Sequence, residues 1–151
     1  MSEREGLQVR VFVCRNAVAD RLEREALREL GVAEESHLEL VPCLGKIDPR
    51  YLLKAFEGGC DAICLIGCPI GKCRTMDGNL RARSRVAFVR GILDETGING
   101  QRLSLFLGEP MDENALQEVM GEFLETARSL GPSELKIRKE VEIPKGRAAN
   151  L

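Results

Sequence analysis

The chain has 151 residues, 44% of them hydrophobic and 30% charged, which is the size and balance of one globular domain with a buried core and argues against a disordered chain. Lysine and arginine number 22 against 24 acidic residues, a net charge of −2, and aromatics are 4% with no tryptophan, so neither a broad nucleic-acid surface nor base stacking is indicated. Met1–Gln8 is polar without an apolar signal core, and no run approaches the roughly 18 apolar residues of a membrane span, so a cytoplasmic protein is expected. In that reducing compartment the six cysteines point to metal or redox roles before structural disulfides.

Gln8–Val13 alternates polar and apolar residues and is rich in valine, which predicts a strand, with Cys14 directly after it. Asn16 then offers a cap for a helix from about Ala17 to Leu30, with Val18, Leu22, Ala26 and Leu30 on one stripe and Gly31 as the stop. His37–Val41 reads as the second strand, ended by Pro42 and followed by Cys43. Leu44–Asp48 forms a turn, and Asp48-Pro49 is a cap and first-turn pair for a helix over Pro49–Glu57 that Gly58-Gly59 ends. Asp61–Ile66 is a nearly unbroken apolar run, as in a central parallel strand covered on both faces.

The next stretch, Gly67–Asn79, holds Cys68, Cys73, Pro69 and three glycines, and so reads as a loop able to wrap round a ligand. Asp77 or Asn79 is expected to cap the following helix, which runs to about Thr96 with Val86, Val89, Ile92 and Leu93 as its core stripe. Arg102–Leu107 is the fourth strand, and Glu113–Leu130 a helix with Leu116, Met120, Phe123 and Leu124 inward, broken by Gly131-Pro132. Residues 1–132 are read as one α/β domain and Ser133–Leu151 as a charged tail. Four strand–helix units predict a single open parallel sheet in the order 2-1-3-4, flavodoxin-like, with helices on both faces.

This topology gathers cysteines. Cys14 follows strand one, Cys43 strand two, and Cys68 and Cys73 strand three, so all four lie at strand carboxyl ends, the edge where open α/β sheets bind ligands. Neighbouring strands are ~4.8 Å apart, so the four thiols can share one site. Four thiolates suit a [2Fe–2S] or [4Fe–4S] cluster or zinc, and the spacings alone do not choose among them; a thiol–disulfide protein is a further alternative. Arg15, Lys46, Lys72 and Arg74 lie within three residues of these cysteines and read as solvated loop cations, or as charges offsetting an anionic centre. Cys60 and Cys64 precede Cys68 at intervals of four. In a strand that interval spans ~13 Å, so all three cannot ligate one centre, and Cys64 reads as a small buried hydrophobe and Cys60 as a strand-start residue. His37, the sole histidine, opens a strand away from the site, and Arg81 and Arg85 share a helix face that reads as solvated, with an acidic partner as the alternative. No Gly-x-Gly-x-x-Gly or Walker loop follows strand one.

The segments Phe12–Asn16, Val41–Asp48, Leu53–Gly58, Gly67–Asn79 and Arg81–Val86 carry a family likeness. The chain resembles the delta (iron–sulfur) subunit of methyl-viologen-reducing hydrogenases over roughly residues 9–107. That resemblance implies one [2Fe–2S] cluster and an electron relay, without bond chemistry of its own. The electrons would pass from a hydrogenase, a formate dehydrogenase or another oxidoreductase to the flavin-bearing subunit of a heterodisulfide reductase. The family's usual second cysteine, three residues after the first, is Ala17 here, and Cys14, Cys43, Cys68 and Cys73 are expected to form the complete ligand set.

Overall fold

Four parallel strands form the sheet: β1 (Val9–Cys14), β2 (Ser36–Val41), β3 (Ala62–Gly67) and β4 (Leu103–Leu107), side by side in the order β2-β1-β3-β4. This is the predicted order. The computed structural model describes residues 7–17, 36–68, 77–108 and 113–133. The two central strands owe their place to composition. Every residue of β3 is buried, as is every residue of β1 except Arg10, because apolar side chains on both faces need cover above and below. β4 is an edge strand and is half-buried beyond Leu103.

Three helices accompany the sheet. Helix α1 (Pro49–Glu57) begins as predicted: the Asp48 carboxylate accepts the Arg50 amide N–H at 2.7 Å, and Pro49 takes the first helical position. It ends at Gly58-Gly59, where Gly59 has φ +111°, a backbone state that favours glycine. Helix α2 (Gly78–Glu95) buries Ala82, Val86, Val89 and Leu93, an i, i+4, i+7, i+11 stripe. Ile92 lies at the flank of that stripe and is only half-buried. Helix α3 (Glu113–Leu130) buries Leu116, Met120, Phe123 and Leu124, and also Ala127. Helices α1 and α2 touch each other, as expected of successive right-handed crossovers that advance the same way across the sheet. Among the described residues no helix is long and apolar enough to cross a membrane.

The amino end of α2 differs from the expectation. Asp77 stands at the cap position, but its side chain makes no capping bond; its carboxylate meets Arg81 Nε at 3.4 Å instead. Asn79 lies inside the first turn and is buried. The predicted helix from Ala17 to Leu30 falls outside the described residues except for Ala17, which closes a 3-10 turn (Arg15–Ala17) after β1. Of the expected tail, Ser133–Leu151, all but Ser133 likewise lies outside them.

The amino-terminal end of the sheet holds a polar knot that sequence periodicity does not reveal. Asp61, fully buried before β3, accepts the backbone N–H of Gln8 at 2.8 Å and of Ser133 at 2.7 Å. Arg102, in the 3-10 turn before β4, is 4% exposed and donates to the carbonyls of Ile98, Asp61, Leu130, Gly131 and Pro132 at 2.7–3.3 Å. Its charge thereby sits on the carboxyl end of α3, where the helix dipole is negative. The knot closes one end of the sheet and leaves the other for the cysteines.

Candidate metal centre

The carboxyl edge is built by three adjacent strand ends. Cys14 is the last residue of β1, Cys68 directly follows β3, and Cys43 lies two residues beyond β2. Because β1 runs between β2 and β3, its terminal cysteine has a neighbour on each side. The Cys14 and Cys68 sulfurs stand 3.8 Å apart and are buried. Cys14 Sγ also lies 3.8 Å from the carbonyl of Pro42, the residue before Cys43. Cys43 is buried, and its sulfur accepts the Gly45 N–H at 3.3 Å. Cys73 lies outside the described residues, as do Lys72 and Arg74.

Helix α2 holds two of the three cysteine segments. Asn79 Nδ2 donates to the Cys68 carbonyl at 3.1 Å and so fixes the peptide that carries that thiol. One terminal nitrogen of Arg85 donates to the carbonyls of Gly45 and Ile47 at 2.6 and 2.9 Å, which clamps the 3-10 turn (Leu44–Lys46) that follows Cys43. Arg85 is therefore half-buried and bound, not solvated as expected, while Arg81 is 59% exposed in its pair with Asp77. Sequence reading missed Asn79 and Arg85 in these roles. A buried Asn at the start of a helix has no periodic signature, and a guanidinium declares its acceptors only once two loops meet.

Two glycines permit this closeness. A Cβ on Gly45 would lie 2.8 Å from the Gly78 Cα, so the turn after Cys43 rests backbone-to-backbone on the first residue of α2. A Cβ on Gly67 would lie 2.6 Å from Leu44 Cδ1, so that leucine seals the sheet edge beside Cys68. Gly45→Ala is expected to lower stability by about 1–3 kcal/mol, since backbone cannot yield as a flexible side chain does; a urea melt of the variant measures it.

The remaining titratable candidates lie elsewhere. Cys60 is at the opposite end of β3, where its Sγ–H donates to the carbonyls of Ala62 (3.2 Å) and Gln8 (3.5 Å). Cys64 sits mid-strand between Val11 of β1 and Ser104 of β4, completely buried, and burial pushes its thiol well above the ordinary range. Native protein should therefore leave Cys64 unmodified by iodoacetamide at mildly alkaline pH, with labelling only after denaturation; peptide mass mapping checks this. His37 is the second residue of β2, at the amino-terminal end of the sheet. Arg15 and Lys46 are exposed, as solvated loop cations would be.

The donor set fits a thiolate-bound metal. A tetrahedral ion with bonds of about 2.3 Å to sulfur holds two thiolates about 3.8 Å apart, which is the Cys14–Cys68 separation. A disulfide would need about 2.05 Å. The adjoining amino end of α2 carries partial positive charge suited to an anionic centre. Among the described residues no three His, Cys, Asp or Glu side chains already enclose a metal ion. Ala17, fully buried, offers no donor after Cys14.

Over residues 9–131 the chain matches the family model described as methyl-viologen-reducing hydrogenase, delta subunit. It is 38% identical over 96 residues to an F420-non-reducing hydrogenase vhu iron-sulfur subunit of Methanocaldococcus jannaschii, and 40% identical over 96 residues to the protein of the same name in Methanococcus maripaludis; each match covers 64% of this chain and 72% of the relative. It is also 24% identical over 102 residues, 68% of this chain but 13% of the relative, to a ferredoxin/F(420)H(2)-dependent CoB-CoM heterodisulfide reductase subunit of Methanosarcina acetivorans. A match that runs from the first residue of β1 to just past α3 spans the whole sheet and its edge of cysteines, and the chain belongs to the methyl-viologen-reducing hydrogenase delta-subunit family.

Proposed function

We propose that this protein is an electron-transfer subunit that holds one [2Fe–2S] cluster on Cys14, Cys43, Cys68 and Cys73. It relays electrons between a hydrogenase, formate dehydrogenase or similar oxidoreductase and a flavin-bearing subunit of the heterodisulfide-reductase type. The observation that carries this reading is the buried pair of sulfurs, Cys14 and Cys68, 3.8 Å apart at the carboxyl edge. The relatives named as iron-sulfur subunits favour iron over zinc. The match to part of a heterodisulfide reductase subunit supports a place in that kind of assembly.

The cluster would supply a one-electron couple that needs no bond made or broken in the protein. The chain's own residues do the rest. Cys14 and Cys68 present their sulfurs from rigid strand ends, which limits reorganisation when charge changes. Asn79 keeps the Cys68 peptide in place, and Arg85 holds the turn after Cys43. The Gly45 N–H donates to Cys43 Sγ, a bond that stabilises a thiolate. Leu44, 2% exposed, keeps water from the edge.

Protein purified without oxygen should be red-brown, with about two iron and two sulfide per chain, and give a paramagnetic signal after dithionite reduction. Colourless protein carrying stoichiometric zinc overturns the proposal in favour of a structural docking module.

A further inference from the structure

Helix α2 is apolar on two sides. Its inner stripe lies in the core, but on the opposite side Leu80 and Phe88 are 39% and 60% exposed, interleaved with the exposed small residues Ser84, Ala87 and Gly91. Phe88 is the most exposed large hydrophobic residue among those described. A large ring among small neighbours makes a surface on which a second helix can sit closely. The charges on α2 are segregated along its length. Arg81, Arg83, Arg85 and Arg90 occupy its first three-quarters and Asp94 and Glu95 its end. Neither Arg83 nor Glu95 forms an ion pair with another described residue.

We propose that a second copy of this chain covers this face, α2 lying antiparallel to α2 about a two-fold axis at Phe88. Arg81 lies as far before Phe88 as Glu95 lies after it, and at 100° per residue both fall within about 20° of Phe88, so the three residues run along one edge of the apolar strip. Arg83 and Asp94 flank the other side at nearly matching offsets. An antiparallel pair brings same-side flanks together, so Arg81 meets Glu95 of the partner subunit, Arg83 meets Asp94 of the partner subunit, and the symmetry repeats both. A parallel pair would set arginine on arginine. The Arg81–Asp77 contact does not stand in the way, because an exposed pair of this kind contributes little and exchanges readily. The chain's own residues 134–151 are a poorer occupant: five bases against three acids repel the basic part of α2.

The arrangement has a functional consequence. Helix α2 is 18 residues long, about 27 Å. Its amino end adjoins the cysteine edge, so the two edges of the dimer lie at opposite ends of the pair and both stay open. The dimer does not depend on which metal the cysteines hold.

Light scattering of the purified full chain at micromolar concentration should give the mass of two chains. Phe88→Asp should give one, with an unchanged circular dichroism spectrum because the ring is exposed. Arg81→Glu should weaken the dimer by about tenfold or more, since like charges then face each other twice, and combining it with Glu95→Arg should restore it. Phe88→Cys should cross-link to a symmetric dimer under mild oxidation. A single-chain mass for the unaltered protein overturns the inference and leaves the face to a different protein. A dimer indifferent to Phe88→Asp also overturns it.

Discussion

Cys68→Ser protein prepared without oxygen is expected to be pale, with bound iron at least about tenfold below the unaltered protein, because even loss of an outer hydrogen-bond partner costs a metal site 10–100-fold. Cys14→Ser should do the same. The two sulfurs are 3.8 Å apart, each less than 5% exposed, and each on a strand end that cannot swing a replacement donor into place. Serine is nearly isosteric, so the fold should survive and a thermal melt of the metal-free forms should coincide. Cys64→Ser and Cys60→Ser are the controls. Cys64 lies four strand residues from Cys68, ~13 Å along the chain, and burial holds its thiol protonated, so it is a poor ligand in the wrong place. Cys60 faces the opposite end of the sheet. Absorption in the visible and iron content settle the comparison. If Cys64→Ser bleaches the protein, or Cys14→Ser keeps its full colour, the ligand assignment is wrong.

Arg102→Met is expected to cost about 3–5 kcal/mol, the range for removing one member of a buried charged network, and so to lower the melting temperature by roughly 6–20 °C. Methionine fills much of the same volume but donates nothing. The carbonyls of Ile98 and Asp61 would lose a charged donor in a buried place, and those of Leu130, Gly131 and Pro132 would lose one at a partly buried helix end. The buried Asp61 carboxylate would lose a positive charge hydrogen-bonded to its own backbone. Arg102→Lys should fall between, since an ammonium keeps the charge but cannot span five acceptors from one planar fork. The midpoint of urea unfolding, at unchanged slope, is the measurement. A loss below about 1 kcal/mol, the scale of an ordinary surface change, would mean the network is not what ties α3 to the sheet.

The two variants probe opposite ends of one sheet. At the amino end buried charge locks the strands to the last helix, and at the carboxyl end buried thiols wait on the same strands. Rigidity at the first helps hold geometry at the second, because β1 and β3 run through both.

The strand order and the carboxyl-edge position of Cys14, Cys43 and Cys68 were legible in the residues alone. A valine-rich run before Cys14, a fully apolar run before Cys68 and short crossovers between them leave few ways to arrange parallel strands, and backbone chirality removes most of those. Helix ends at Asp48-Pro49 and Gly58-Gly59 were equally plain, since caps and positive φ act within a few residues. What required the tertiary structure were bonds between segments far apart in the chain. Arg85 reaches a turn 40 residues earlier, Asn79 a carbonyl 11 residues earlier, and Ser133 a carboxylate 72 residues earlier. Local propensity dictates the elements because its forces span one turn of helix or one pair of neighbours. Which polar side chain finds which carbonyl depends on where packing brings the loops, and no stretch of sequence carries that information before the core closes.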